Sequence, residues 1–499
     1  MRHLAVLVSL VLQASVLALA AGDSPLVAAV RAGNSNAVRL LLQQKVNVNA
    51  PQSNGATALH WAVHLDDLST ADLLLKAGAN VNTADDTGVT PLYLSCMHRH
   101  AAMVDRLLAA GANPNAALLN GETVLMMCAR AGDPASVKAL LLHGVQVNAR
   151  ENVHHQTALM WAASERRPEI VKLLVEVGAD VGARSRAYPQ VVTGEETQRA
   201  GREELNYTVL RGGSTALLFA VRVGDVDSAR LLLAAGANVN DTLPDGTTAL
   251  IEAVHSGQSA VAALLLDRGA DPNNADIGYT ALHAAVLRGD LPLVKALLAR
   301  GAKPNAVITK AMSTRRANGH DYLLLAPLIG ATPYLLAAQY LEAEMMRVLA
   351  AAGADTHLTK RDGMTPLMMA VGMQAPAGDL TPGQTNRRGH RVLDGAKVED
   401  ESLVLQAVTA ALDLGSEINA VSSKGDTALH GAATQGYKQV IRLLVARGAL
   451  LTVKNKLGQT PLEAARRGGG RERVAADVAD AGPDAHQQTV DLLRQLGAQ

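Results

Sequence analysis

The sequence predicts an all-α solenoid of about 12 helix-turn-helix repeats, and three observations support this fold class. Short Thr-Pro-Leu or Thr-Ala-Leu starts recur about every 33 residues along the chain. A glycine stands 21 residues after most of these threonines, from Gly78 to Gly448. The composition is 48% hydrophobic but only 2% aromatic, so the core must consist mainly of Ala, Leu and Val. Side chains of this size suit thin layers of closely packed helix pairs.

Each predicted repeat consists of a first helix, a short turn, a second helix and a loop. The threonine caps the first helix, because its hydroxyl can accept a hydrogen bond from a free backbone N–H. A proline that follows it occupies the first helical position, where a missing N–H costs nothing. The second helix is rich in Leu, and the glycine after it suits a left-handed residue past the helix end. The repeats are predicted to begin near residues 24, 57, 90, 123, 157, 215, 248, 280, 332, 365, 427 and 460.

The two ends of the array are atypical. The first repeat has Lys45 and Val46 where later repeats have Gly-Ala. The segment QQTVDLLRQLGAQ is predicted to be the last, capping helix of an array that extends over residues 24–499. A terminal repeat differs from the others because it has a neighbour on one side only.

The motif spacing predicts four insertions. Two of them, 184–213 and 307–328, follow a glycine that is still in register, so they extend the loop after a second helix. The other two, 374–401 and 468–484, displace the glycine and therefore lie between the two helices of their repeats. The first insertion contains β-formers and predicts an extended finger, whereas the third is rich in Gly, Pro and charge and predicts a flexible loop.

The segments TALHWA (57–62), TALHAA (280–285) and TALHGA (427–432) resemble the signature of the ankyrin repeat family. The resemblance covers nearly the whole chain after its N-terminus. It implies a curved stack with short hairpin fingers, whose concave groove commonly binds other proteins. It also implies that His60, His283 and His430, which stand at the family's own histidine position, bond to the backbone of a neighbouring repeat.

Residues 1–20 are predicted to be a secretory signal peptide. Arg2 and His3 precede an apolar run, and Ala18 and Ala20 form a small-residue cleavage site. An uncleaved anchor is the alternative, but the run is short for a membrane span and contains polar residues. We therefore expect an exported protein, periplasmic or extracellular, without stable membrane insertion after cleavage.

The charge and the cysteines limit the expected partners. Lys+Arg and Asp+Glu both total 46, so no nucleic-acid partner is expected. The chain is also expected to be a monomer.

Cys96 and Cys128 fall in the first helices of adjacent repeats. We expect two buried thiols, because roughly 8–10 Å separates packed helix axes, whereas a disulfide needs Cα atoms about 4.4–6.8 Å apart. A disulfide in an exporting compartment is the alternative.

No motif for catalysis, a cofactor or a metal is found. The pairs His98 with His100 and His154 with His155 lack the HExxH spacing of a zinc site. We therefore expect no enzyme, no cofactor and no metal ligand.

Two residue types are unexpected at the fourth position after the motif threonine. Trp61 and Trp161 stand there and are predicted to pack in the core between the two helices of their repeats. Glu252 occupies the same position in its own repeat and is expected either to reach solvent or to meet a partner such as His255.

The candidate binding residues lie at the seventh and eighth positions after the motif threonine, which the resemblance implies are contact sites. These positions vary while the Leu and Gly frame does not, a pattern that drift on a solvent-facing surface also produces. The selected residues are His64, His98, Arg130, Glu165, Arg222, His255, Arg288, Gln339, Tyr340 and Gln435.

The leading functional hypothesis is an exported, non-catalytic scaffold that binds a protein through its concave groove. One alternative is a secreted effector that binds a host protein. A second is an envelope enzyme with its site in the long insertions, using residues such as His320 and Asp321.

Overall fold

A computed structural model describes ten stretches of the chain. They are residues 24–193, 206–310, 313–315, 321–323, 328–360, 362–373, 392–393, 397–398, 400–468 and 484–499. Within these stretches the chain forms 24 helices and six short strands, in agreement with the predicted all-α repeat fold. The predicted signal peptide lies outside them, as do parts of all four predicted insertions.

The chain divides into two compact units. The first comprises Met1–Gln190 and Val209–Pro244, and the second comprises Val191–Thr208 and Asp245–Gln499. The described helices of the first unit are α1 (Pro25–Arg31), α2 (Ser35–Gln43), α3 (Ala58–His64), α4 (Leu68–Lys76), α5 (Pro91–His98), α6 (Ala101–Ala109), α7 (Val124–Ala131), α8 (Pro134–Leu142), α9 (Ala158–Ser164), α10 (Pro168–Glu176), α11 (Ala216–Val223) and α12 (Val226–Ala234).

The second unit continues the same alternation of first and second helices. Its described helices are α13 (Ala249–His255), α14 (Ser259–Asp267), α15 (Ala281–Arg288), α16 (Leu291–Ala299), α17 (Pro333–Gln339), α18 (Ala343–Ala351), α19 (Pro366–Ala370), α20 (Glu401–Asp413), α21 (Ala428–Gln435), α22 (Lys438–Ala446), α23 (Pro461–Gly468) and α24 (Asp484–Gln495).

Threonine caps start the first helices. The hydroxyl of Thr90 accepts a hydrogen bond of 3.2 Å from the backbone N–H of Tyr93, and Pro91 occupies the first turn of α5. Thr123 makes the same 3.2 Å bond with the N–H of Met126. Each cap satisfies a backbone donor that has no partner inside the helix, which fixes the residue at which the helix begins.

The core is a column of leucines from the second helices. Leu74, Leu107, Leu140 and Leu174 lie at equivalent repeat positions of the first unit, and each is 0% exposed. Leu265, Leu297, Leu349 and Leu444 are the equivalents in the second unit, again at 0%. Burial of one such side chain contributes about 1.5–3 kcal/mol, so the repeated leucine is a main source of stability.

An asparagine in the loop after most second helices joins one repeat to the next. The side-chain amide of Asn82 donates to the carbonyl of Gly111 over 3.1 Å, and its oxygen accepts from the backbone N–H of Asn113 over 2.7 Å. Gly111 itself has φ +88°, a left-handed conformation that glycine adopts without strain. The same pair of bonds is made by Asn49 and Asn148 in the first unit, and by Asn273, Asn305 and Asn419 in the second.

The expectation of two free thiols is wrong, because Cys96 and Cys128 form a disulfide with a Cα–Cα distance of 4.7 Å. The expectation used the distance between helix axes, whereas the distance between facing Cα atoms decides whether a disulfide can form. Cα atoms lie about 2.3 Å from a helix axis, so facing Cα atoms of two helices about 9 Å apart approach to between 4 and 5 Å, by rough estimate. Both cysteines are 0% exposed and tie α5 to α7.

Three insertions contain short antiparallel strand pairs. In the first, β1 (Tyr188–Thr193) pairs with β2 (Asn206–Arg211), which confirms the extended finger predicted from its β-formers. In the second, β3 (Ser313–Arg315) pairs with β4 (Asp321–Leu323). In the third, β5 (Val392–Leu393) pairs with β6 (Lys397–Val398), but most of the predicted flexible loop lies outside the described residues.

Candidate protein-binding surface

The C-terminal ends of the first helices bring the candidate residues of the first unit to the surface. His64, Arg130 and Glu165 are exposed, whereas His98 and Arg222 are partly buried. Leu65 and Met97 lie beside them and are 47% and 43% exposed. Large apolar side chains exposed next to charged ones are typical of the contact surfaces of proteins.

Three histidines form a cluster at the ends of α3 and α5. His64 Nδ1 lies 3.1 Å from His98 Nε2, and the ring of His98 stacks on that of His100 with centroids 5.5 Å apart. Partial burial lowers the pKa of His98, and the neighbouring His64 and His100 lower it further by repulsion between positive charges. His98 is therefore neutral near pH 7.

An arginine of one repeat covers a tryptophan of the next at two places. The guanidinium carbon of Arg31 lies 4.7 Å from the ring centre of Trp61, and that of Arg130 lies 4.7 Å from the ring centre of Trp161. Both tryptophans are partly buried, so the prediction that they pack in the core is correct only in part. A cation over an aromatic face contributes about 0.5–1 kcal/mol at an exposed site, and the pairing holds each guanidinium in place.

Arg130 also belongs to a polar group between adjacent repeats. Its Nη2 lies 3.6 Å from Glu122 Oε1, and the same oxygen accepts a 2.5 Å hydrogen bond from the hydroxyl of buried Tyr93. Burial and the negative charge of Glu122 both raise the pKa of Tyr93, so the phenol stays protonated and donates. This arrangement fixes Arg130 in position at the surface.

In the second unit, candidate His255 is bound to a buried tyrosine. Its Nε2 lies 2.8 Å from the hydroxyl of Tyr279, and its carbonyl accepts a 2.9 Å hydrogen bond from Arg288 Nη1. Burial lowers the pKa of His255 to about 4, although the carboxylate of Glu252 acts in the opposite direction. Glu252 is 5% exposed, so of the two expectations for this residue, the one in which it interacts with His255 is correct.

The other candidates of the second unit differ in exposure. Arg288 is exposed, whereas Gln339, Tyr340 and Gln435 are partly buried. Gln339 and Tyr340 both take part in side-chain interactions within the chain. Of these four, Arg288 has the side chain most accessible to another protein.

The signature histidines make the structural contacts that the family resemblance implied. His60 Nδ1 accepts from the backbone N–H of Thr57 over 3.1 Å, and its Nε2 donates over 3.0 Å to the carbonyl of Val89, which directly precedes the threonine that starts the next repeat. His283 and His430 make the corresponding Nε2 bonds, each of 3.0 Å, to Ala306 and Gln459. These rings join repeats and are not available to a ligand.

Chemistry-bearing groups elsewhere are sparse in the part of the chain that the structure describes. No group of three or more His, Cys, Asp or Glu side chains there is placed to hold a metal ion. Among the same residues, no helix is both long and apolar enough to cross a membrane. Asp321, a candidate of the enzyme alternative, lies in β4, and His320 lies outside the described residues.

Comparison with known families gives matches over more than half of the chain. A family model described as ankyrin repeats (3 copies) matches residues 3–85, 28–117, 92–185, 201–276 and 217–308. A second model, described as ankyrin repeat, matches residues 424–456. Both models describe repeats that typically bind proteins and are not catalytic.

Individual relatives match over short stretches. Protein phosphatase 1 regulatory subunit 12A of Rattus norvegicus is 35% identical over 103 residues, which is 20% of this chain and 10% of that protein; the Mus musculus protein gives the same figures. Protein PhlB of Serratia liquefaciens is 44% identical over 69 residues, 14% of this chain and 30% of that protein. The chain thus spans less than a third of the length of these relatives.

Among solved structures, the crystal structure of human ASB11 ankyrin repeat domain is 28% identical to the chain. The match covers 50% of this chain and 100% of that one, with a TM-score of 0.40.

Proposed function

Because the chain belongs to the ankyrin repeat family, we propose that it is an exported, non-catalytic scaffold that binds a protein through the ends of its first helices. Ankyrin repeats generally mediate interactions between proteins. The proposal therefore concerns which surface of this chain binds and where in the cell it does so.

The observation that carries the proposal is the exposed surface around α3, α5 and α9. Leu65 and Met97 are 47% and 43% exposed at the ends of α3 and α5, and charged Glu165 follows α9. Transfer of this apolar area from water to a partner is favourable by about 25 cal/mol for each Å² buried. The variable charged residues beside it supply selectivity, because a like charge on a wrong partner is repelled.

Export is supported by two independent features. The basic and apolar pattern of residues 1–20 is typical of a signal peptide. The Cys96–Cys128 disulfide fits an oxidising compartment, because cytosolic thiols are usually kept reduced. Fractionation of the source cells, with the mass of the mature chain, tests export and also distinguishes an envelope scaffold from an effector delivered to another cell.

The binding surface is tested with two sets of charge-changing variants used as bait. The surface variant combines Leu65→Glu, Met97→Glu and Glu165→Arg, whereas the control combines Lys138→Glu and Lys172→Glu. Both control lysines are exposed on second helices. After crosslinking in the native compartment, we expect the captured partner to fall more than about tenfold with the surface variant, which corresponds to about 1.4 kcal/mol of binding free energy.

The control variant should capture as much partner as the unmodified chain, and all three baits should melt at similar temperatures. Equal capture by the surface variant and the unmodified chain would show that this surface does not bind the partner. The search would then move to the insertions.

A further inference from the structure

Two histidine rings, His64 at the end of α3 and His98 at the end of α5, face each other with their nitrogen atoms close together. His64 Nδ1 and His98 Nε2 face each other at 3.1 Å, and the two ring centres are 4.9 Å apart with planes inclined by 71°. The residues belong to adjacent repeats and are 34 positions apart in the sequence. Each ring is therefore held by its own helix.

Both distances agree with two imidazoles that share one metal ion. With metal–nitrogen bonds of about 2.0–2.1 Å, ligand nitrogens are about 2.9 Å apart at a right angle and about 3.3 Å apart in a tetrahedron. The matching ring-centre separations are about 4.5 and 5.2 Å. The observed 3.1 Å and 4.9 Å lie between these limits. A linear N–H···N hydrogen bond of the same length would place the centres farther apart, at about 5.4 Å.

Ring orientation also favours a ligand pair. His100 Nδ1 donates to the carbonyl of Val63 over 3.1 Å and lies 3.6 Å from Asp66 Oδ1, and its ring stacks on His98. This neighbour limits rotation of His98, as outer contacts of metal ligands do.

The pair provides two protein ligands and leaves the rest of the coordination sphere open. No third His, Cys, Asp or Glu among the described residues completes a group around it. His64 is exposed, so water or a side chain of a partner can reach the remaining positions. Two imidazole nitrogens and water suit Cu(II), Ni(II) and Zn(II), whereas Mg(II) prefers oxygen ligands.

We propose that His64 Nδ1 and His98 Nε2 form a site for one borderline divalent transition-metal ion on the partner-binding surface. In the bound state, the N–H of each ring is on the nitrogen that points away from the metal, which is Nε2 of His64 and Nδ1 of His98. Cu(II) binds most tightly, because the affinity of nitrogen sites is higher for Cu(II) than for either Ni(II) or Zn(II). The proposal does not depend on the identity of the protein partner.

Calorimetric titration of the tag-free mature chain with Cu(II), Zn(II) and Mg(II) tests the site. His64→Gln and His98→Gln each remove one ligand and keep a polar side chain of similar length. His143→Gln is the matched control, since His143 is exposed and its Nδ1 donates to the carbonyl of Ala139 over 2.8 Å on another helix. Loss of even an outer contact of a metal ligand weakens binding about 10–100-fold, so we expect each ligand variant to lose at least about tenfold in Cu(II) affinity.

The expected results are one Cu(II) per chain, weaker Zn(II) binding, no comparable Mg(II) binding and a His143→Gln affinity within about twofold of the unmodified chain. Electron paramagnetic resonance of the Cu(II) form should detect coupling to two imidazole nitrogens. Equal Cu(II) affinity of the unmodified chain and both ligand variants would overturn the proposal. An absence of stoichiometric binding would do so as well and would leave the contact as a hydrogen bond.

Discussion

The buried ring of His283 is both a hydrogen-bond acceptor and a donor in a fixed position, and its protonation opposes folding. His283 is 0% exposed; its Nδ1 accepts from the N–H of Thr280 over 3.2 Å, and its Nε2 donates to Ala306. A proton added to Nδ1 would face that N–H group directly. Burial lowers the pKa of His283 from 6.5 to about 4, because the charged imidazolium would lose its hydration there.

The stability of the second unit is expected to fall as the pH is lowered from about 6.5 to about 4. In this window an unfolded chain binds a proton at His283 whereas the folded chain does not, so the free energy of unfolding rises with pH. The stabilising contribution of His283 is complete above pH 6.5. The contribution of His283 over the window is about 3 kcal/mol. Urea unfolding at a series of pH values measures it.

The His283→Gln variant separates this contribution from other titrations. The variant is less stable at pH 7, because the bonds to neighbouring backbone are altered. Its free energy of unfolding should also change less with pH, and the slope should fall by up to the amount that uptake of one proton on unfolding produces. His143→Gln, a substitution in the first unit, is the control for unfolding of the second unit. An unaltered slope in His283→Gln would mean that another group titrates.

Side-chain contacts at fixed motif positions could be predicted from the sequence, whereas side-chain contacts between residues of two different repeats could not. The caps at Thr90 and Thr123 and the bond from His60 to the loop before the next repeat were predictable, because they recur at a fixed place in the repeats. The stacking of Arg31 on Trp61 depends on side-chain conformations in two repeats, and it was missed. Its signal was an arginine at the seventh position of one repeat and a tryptophan at the fourth of the next, which recurs with Arg130 and Trp161.

At the scale of elements, the disulfide changes how α5 and α7 are joined. Helices in most repeats of the array are held by packing and by loop asparagines, whereas these two are also linked covalently. The bridge encloses a stretch with a sequence separation of 32 residues. A cross-link of this kind restricts the unfolded chain more than the folded one, and therefore stabilises the fold by about 3–4 kcal/mol in the chain-entropy model.

Reduction is expected to destabilise the first unit by roughly that amount. Urea unfolding of the unmodified chain with and without a thiol reductant measures the difference. The double variant Cys96→Ala/Cys128→Ala should unfold at the lower midpoint under both conditions. If the reductant leaves the midpoint of the unmodified chain in place while thiol titration finds two free thiols, the bridge does not contribute to stability.

At the scale of the whole molecule, the repeat pattern predicted the order of helices well but the long insertions only in part. Each first helix from α3 to α7 begins directly after its motif threonine, as with Ala58 after Thr57. The finger of β1 and β2 was predicted because its segment contains several residues of types that are enriched in strands. The strand pairs at Ser313–Arg315 and Val392–Leu393 were not predicted, because such short strands lack a distinctive pattern.

The two compact units are expected to respond separately to loss of a core leucine. Leu140 and Leu297 occupy the same repeat position in the first and second units, and both are 0% exposed. Leu→Ala substitution at such a site costs about 2–5 kcal/mol. In a repeat array the loss acts mainly on the surrounding repeats, so each variant should destabilise its own unit and leave the other close to its original stability.

Hydrogen exchange followed by mass spectrometry resolves the two units in the full-length chain. Leu140→Ala should reduce protection of peptides between residues 90 and 180, and Leu297→Ala should reduce it between residues 250 and 350. A uniform loss of protection in both units with either variant would show that the chain unfolds as a single cooperative body.

The asparagine links between repeats also bear on how such a chain can change in length over evolution. A duplicated repeat carries its own asparagine and its own glycine, so both of its junctions are complete from the start. Single-residue changes in length leave the link in place, because it spans 29 positions from Asn82 to Gly111, 30 from Asn148 to Gly178 and 28 from Asn273 to Gly301. A longer addition is compatible with the link as well, since Asn305 and Gly353 are bonded at 3.1 Å across 48 positions. The junctions between repeats are therefore compatible with the gain of a whole repeat, of one residue or of a long segment, since each of these leaves an asparagine bonded to the next glycine.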